Sequence, residues 1–151
     1  MQEKRNNLIH ITLITFSVLE LGAGGALPSL VCYHNNAEKV IITDYPDADL
    51  IENITFNVNL NAPKGIDSGK IVVMVIHVLA LSNLFQGHLW GKQVPELQKK
   101  ISADETNLRK FDVIILSDLI FNHTCHYDLL TTCKQALAND GKVTNTLSKK
   151  Y

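Results

Sequence analysis

VLELGAGGALPSLVC (Val18–Cys32), followed after six residues by KVIITD (Lys39–Asp44), is the stretch whose reading decides the fold. SVLEL, residues 17–21, is a short apolar strand that runs directly into Gly22-Ala23-Gly24-Gly25. ALPSLVCY, residues 26–33, has helix-compatible spacing, and Pro28 is tolerated in a first turn. KVIIT, residues 39–43, is a second β-branched strand that ends at Asp44. DLIENITFNVN, residues 49–59, then puts Leu50, Ile54 and Val58 at helical spacing behind a capping Asp. Much later FDVIIL, residues 111–116, reads as a buried strand and HYDLLTTCKQAL, residues 126–137, as an amphipathic helix. Strands and helices alternating at these lengths imply right-handed crossovers and a mostly parallel sheet covered on both faces. The predicted class is α/β, a doubly wound, Rossmann-like sheet.

Glycines between a strand and a helix let backbone N–H groups approach a ligand that a Cβ would push away. Asp44 closes the second strand 20 positions after Gly24, where a carboxylate accepts the hydroxyls of a ribose. A glycine turn can also simply reverse the chain, so the motif needs its context. A nicotinamide dinucleotide site would want a third small residue where Leu27 stands, and no hydride-transfer constellation accompanies it. Glu20-x-Gly22-x-Gly24, with a carboxylate two residues before the first glycine, is instead the form found in S-adenosylmethionine methyltransferases.

The chain resembles one branch of that class, the fungal nicotinamide-N-methyltransferase-like protein methyltransferases that modify translation elongation factor 1-alpha. Four segments carry the resemblance. They are the glycine motif, the strand ending in Asp44-Tyr45-Pro46-Asp47, the segment Gly87-His88-Leu89-Trp90-Gly91, and FDVIILSDLIFNHTCHYDLL with its Ser117-Asp118-Leu119. The match runs from Val18 to about Ala62 and from Gly87 to about Gly141.

The resemblance implies S-adenosyl-L-methionine as cofactor. Gly22, Ala23 and Gly24 would then contact its methionine moiety, Asp44 its ribose, and Trp90 and Ser117 its adenine. Asp118 and Asn122 fall where many protein methyltransferases contact the acceptor amine. It further implies a cytoplasmic, monomeric enzyme that methylates the N-terminal α-amine and a neighbouring lysine of elongation factor 1-alpha. Methyl transfer to a neutral amine needs positioning and exclusion of water more than a base, so no catalytic residue is assigned. Two further readings stay open: an inactive cofactor-binding remnant or protein-interaction module, and an N-methyltransferase of small molecules such as nicotinamide.

Three segments depart from the family pattern. Residues 1–17 do not resemble its N-terminal segment, DSGKIVVMVIHVLALSNLFQ interrupts the chain just before Gly87, and VTNTLSKKY follows Lys142. The expectation is therefore a cofactor-binding domain at 18–142 with a foreign insert at 68–86. A polar tail at 143–151 replaces the last strands, and the sheet is incomplete at both ends. The Gly-Lys and Phe-Gln borders suggest translated intron as the origin of the foreign segments. On this reading, deleting the insert should improve solubility.

A chain of 151 residues has room for one domain and a sufficient core. Its net charge of −1 exerts no long-range pull on nucleic acid or an acidic membrane surface. Three cysteines without CxxC spacing suit a reducing compartment rather than a disulfide framework or zinc site. His123, Cys125 and His126 do not share one helical face, and no second cluster completes a ligand set, so no metal is expected. The apolar run from Ile71 to Phe85 is shorter than the ~20 residues a spanning helix needs, and no membrane insertion is expected.

Overall fold

Strand β1 (Ser17–Leu21) is buried at all of its residues, as the central strand of a sheet covered on both faces must be. The computed structural model describes residues 15–45, 47–75, 90, 94–119 and 126–146. After β1 come α1 (Leu27–His34), β2 (Lys39–Asp44), α2 (Ala48–Asn61), α3 (Pro63–Asp67) and β3 (Ile71–Val75). The chain continues through α4 (Val94–Lys99), β4 (Phe111–Ser117), α5 (His126–Ala136) and β5 (Leu137–Thr146). The strands lie in the order β3-β2-β1-β4-β5, and every neighbouring pair is parallel. The predicted doubly wound sheet is thus present.

Period-two alternation along the strands divides the core in two. Val18, Val40 and Ile42 pack with Ala26 at the N-cap of α1, with Leu30 of α1 and with Ile54 and Val58 of α2. Leu19, Leu21 and Ile41 face the other way, with Val94 and Leu97 of α4 and Leu129, Cys133 and Ala136 of α5. From β1 the chain winds outward to β3, then restarts on the opposite side of β1 at β4. This reversal opens a crevice between the carboxyl ends of β1 and β4, where open α/β sheets bind ligands. At the other end Ser17 fastens the same two strands, its N–H and Oγ donating to Asp112 Oδ2 at 2.7 and 2.8 Å.

Two of the segments set apart in the sequence contribute residues to the sheet. The insert read as foreign begins with a structural strand: Ile71–Val75 pairs with β2 from Val40↔Ile71 to Asp44↔Val75. Residues 76–86 of that insert lie outside the described residues, as do residues 1–14 of the N-terminal segment. The polar tail likewise begins later than residue 143, because β5 pairs with β4 as far as Ser117↔Thr146. An irregularity between Phe111↔Leu137 and Val113↔Lys142 takes up the extra residues of β5 around Gly141. A Cβ at Gly141 would stand 3.0 Å from the Asp112 carbonyl oxygen, so the closeness of β4 there favours glycine.

Smaller differences concern helices. Neither the short α3, PKGID, nor α4 had a counterpart in the sequence reading. In α2 the N-cap is Asp47 rather than Asp49, its Oδ1 accepting from the N–H groups of Asp49 and Leu50. Among the described residues no helix is long and apolar enough to cross a membrane.

Candidate functional site

The glycine turn leaves β1 in the left-handed region, with φ +67° at Gly22 and +53° at Gly24. Leu119 gives the first of these a second reason to be glycine: a Cβ on Gly22 would overlap its Cδ2 and Cγ atoms. At Gly24 a Cβ would point into open space, with no atom within 4 Å. The turn is held from several sides. Ala23 N–H donates to the Thr43 carbonyl at 3.1 Å, and Ala26 N–H to the Ala23 carbonyl at 2.8 Å. Two amides of α2 bind its carbonyls, Asn53 Nδ2 to Gly24 and Asn57 Nδ2 to Gly25, each at 3.2 Å.

Asp44 joins this turn to the end of β2. Its Oδ2 accepts from Gly24 N–H and its Oδ1 from Tyr45 N–H, each at 2.6 Å. A carboxylate has about four lone-pair positions, so both oxygens keep capacity for a further donor. Asp44 is therefore both the clasp of the glycine turn and an available acceptor beside the open space at Gly24.

Glu20, the carboxylate that precedes the glycines in the motif, is turned inward. It lies on the α1 side of the sheet, fully buried in a strand otherwise made of apolar residues and serine. Its Oε2 accepts from Ser29 N–H at 3.1 Å and its Oε1 from Ser117 Oγ at 2.5 Å, while its backbone carbonyl accepts from Thr43 Oγ1 at 2.9 Å. One residue thereby ties β1 to α1, β2 and β4. The Ser29 hydroxyl, also buried, favours the charged carboxylate without reaching hydrogen-bond geometry.

Burial raises the Glu20 carboxyl above its ordinary range, and the bonds from Ser117 and Ser29 oppose this only in part. The folded chain therefore holds a proton through a pH window in which the unfolded chain has released it. Stability must fall as pH rises from the ordinary carboxylate value through the raised one. Glu20→Gln, which has no proton to release, should abolish that slope. Urea midpoints measured across the window should decline in the parent and stay level in the variant.

The other expected residues are placed as follows. Ser117 ends β4, one position past the pair Leu21↔Leu116, and so stands beside Gly22. Its hydroxyl proton is directed to Glu20. Asp118 follows, exposed, in a left-handed conformation with φ +53°, a strained state of the kind found at functional sites. Trp90 is partly buried against the core on the α4–α5 face. Asn122, His123, Cys125 and the residues flanking Trp90 lie outside the described residues. Among the described residues no group of three His, Cys, Asp or Glu side chains could hold a metal ion.

The glycine turn, the Asp44 clasp and the Glu20 tie thus meet at the switch point of a 3-2-1-4-5 sheet. A family model described as lysine methyltransferase matches residues 2–151. The chain belongs to that family. Members with a similar sequence include the protein N-terminal and lysine N-methyltransferases EFM7 of Debaryomyces hansenii, 42% identical over 125 residues, and of Candida glabrata, 45% identical over 126. Each alignment covers 83% of this chain but only 44% and 43% of the relative, so the matched region spans less than half the length of either.

Solved structures show the same architecture at low sequence identity. The glycopeptide N-methyltransferase MtfA, complexed with S-adenosyl-L-methionine, superposes with a TM-score of 0.56 at 12% identity, covering 89% of this chain and 48% of that one. The ribosomal protein L11 methylase of Lactobacillus delbrueckii gives 0.52 at 16% identity over 89% of this chain and 53% of its own. At such identities the likeness speaks for the fold.

Four residues at the crevice have roles that escaped the sequence reading: Glu20 as a tie, Leu119 as the wall behind Gly22, and Asn53 and Asn57 as amides bound to the turn. Glu20 had a signal, an acid inside a buried strand, which must find partners for its oxygens. The asparagines had a weaker one, their i, i+4 spacing on one face of α2.

Proposed function

We propose that this chain binds S-adenosyl-L-methionine and serves a protein N-methyltransferase whose acceptors are the N-terminal α-amine and neighbouring lysine of elongation factor 1-alpha. The observation that carries the reading is the cradle at Gly24. Its missing Cβ opens onto free space, a positive φ turns it there, and the Asp44 carboxylate stands beside it. In that cradle Gly22, Ala23 and Gly24 would hold the methionine moiety and Asp44 the ribose hydroxyls. Trp90 and Ser117 would border the adenine, and Asp118 and Asn122 the acceptor amine. The relatives named above supply the direction of the substrate assignment, since their names specify N-terminal and lysine methylation. A cytoplasmic, monomeric enzyme completes the reading.

The cofactor supplies a methyl group activated on a sulfonium centre. What the chain contributes is geometry. Backbone rigidity at the glycine turn fixes one reactant, and the strained turn at Asp118 presents a carboxylate that can accept an N–H of the incoming amine and so aim its lone pair. Held alignment of this kind removes much of the entropic cost of the encounter.

Titration calorimetry with S-adenosylhomocysteine tests the binding site, and transfer of labelled methyl to an elongation factor 1-alpha N-terminal peptide tests the enzyme. Asp44→Ala removes charge-assisted hydrogen bonds of about 1.5–3 kcal/mol each, so affinity should drop by about tenfold or more. A folded variant that binds as well as the parent would reject the role given to Asp44.

A further inference from the structure

Ser117 has one hydroxyl proton, and the structure commits it. Glu20 Oε1 lies 2.5 Å away and, when ionised, can only accept. Glu20 cannot turn from this arrangement, because Oε2 is engaged by Ser29 N–H at 3.1 Å and the carboxylate is fully buried. Ser117 Oγ is thus left with lone pairs alone for anything else that approaches it. Its residue is only partly buried and stands next to Gly22 at the mouth of the crevice. Had a neutral amide occupied position 20, the serine could have turned its proton either way.

We propose that Ser117 is a one-way acceptor that selects an N–H donor at the switch point, with Glu20 as the positioning residue that fixes its polarity. This rests on the proposed function. Two donors fit the chemistry there, the 6-amino group of the adenine ring and the acceptor amine of the substrate. An unpaired lone pair facing another acceptor loses a hydrogen bond and gains repulsion, which is why polar sites reject mismatched groups strongly.

The test compares S-adenosylhomocysteine with S-inosylhomocysteine, in which the 6-amino donor is replaced by a 6-oxo acceptor. Binding is measured by calorimetry above the titration range of Glu20, alongside the KM of a peptide with a free α-amine. If the adenine is the donor, the parent should prefer the adenosyl compound by about tenfold or more, and Ser117→Ala should lose that preference. If the amine is the donor, Ser117→Ala should keep the preference and raise peptide KM by a similar factor. Glu20→Gln separates polarity from mere packing. Its carbonyl must take Ser29 N–H, so its NH2 faces Ser117, and the serine proton turns outward. Preference should then pass to the inosyl compound, or peptide KM should rise while kcat per bound complex is kept. The assignment is overturned if folded Ser117→Ala changes neither quantity, or if Glu20→Gln matches the parent in both. A parent that binds neither nucleoside overturns the proposed function and this assignment together, whereas binding with unchanged selectivity in both variants, and unchanged KM, overturns this assignment alone.

Discussion

Gly22→Val is expected to give a chain that binds no S-adenosylhomocysteine and melts well below the parent. Two independent costs meet at that position. The backbone holds φ at +67°, and a β-branched residue in that region is strained by about 1–3 kcal/mol. The added Cβ would also overlap the Leu119 side chain, which is itself buried in the core on the α4–α5 face and would have to shift there. Against a typical total stability of ~5–15 kcal/mol the loss is large. Loss of binding could then follow from misfolding alone, and Gly24→Ala removes that ambiguity. A methyl there meets no protein atom within 4 Å, so the fold bears only the backbone cost of a positive φ. Its methyl projects into the space assigned to the ligand. Calorimetry and thermal midpoints together should show Gly22→Val losing both binding and stability, and Gly24→Ala losing binding by an order of magnitude with a small thermal shift. Undiminished affinity in Gly24→Ala would mean that the ligand does not lie over the turn.

The contrast between these glycines was not legible in the sequence, although the turn itself was. Glycine spacing and the strand–helix alternation around it depend on local chemistry, and they located β1, α1, β2, β4 and α5 nearly to the residue. What escaped depended on partners distant in sequence. Ile71–Val75 lacks alternation because it is apolar toward both faces of the sheet, as parallel strands are. Beside a Gly-Lys border that same uniformity read as foreign sequence. LANDGKVTNT erred in the opposite direction. Asn, Asp and Gly disfavour strands, and Val143 stays exposed, yet backbone pairing to β4 makes it a strand at the edge of the described sheet. Ser117 shows the limit within the site. Position placed it at the crevice, but only the pairing of β1 with β4 reveals that its hydroxyl proton goes to Glu20.

Deleting Ser68–Gln86 is expected to abolish folding, the reverse of what the sequence led us to expect. The deletion removes β3 whole, together with its five residue pairs to β2. Ile71 is 2% exposed and fits so closely over Gly65 that a Cβ there would meet its Cδ1 at 2.7 Å. Burying such a side chain is worth about 1.5–3 kcal/mol. Val73 adds packing on the α1–α2 face, and Val72 and Met74 on the α4–α5 face. With β3 gone, β2 becomes an edge strand, and its fully buried Val40, Ile41 and Ile42 lose their cover on that side. An exposed apolar edge invites pairing between chains as well as unfolding. The summed loss is comparable with the ~5–15 kcal/mol that holds a domain of this size together. Soluble yield should collapse, and no cooperative thermal transition should be seen. Ile71→Ala provides the graded version, with a cost of about 2–5 kcal/mol and a lowered but measurable midpoint. A deletion variant that is soluble, monomeric and as stable as the parent would show that the pairing of β3 with β2 contributes nothing to the fold.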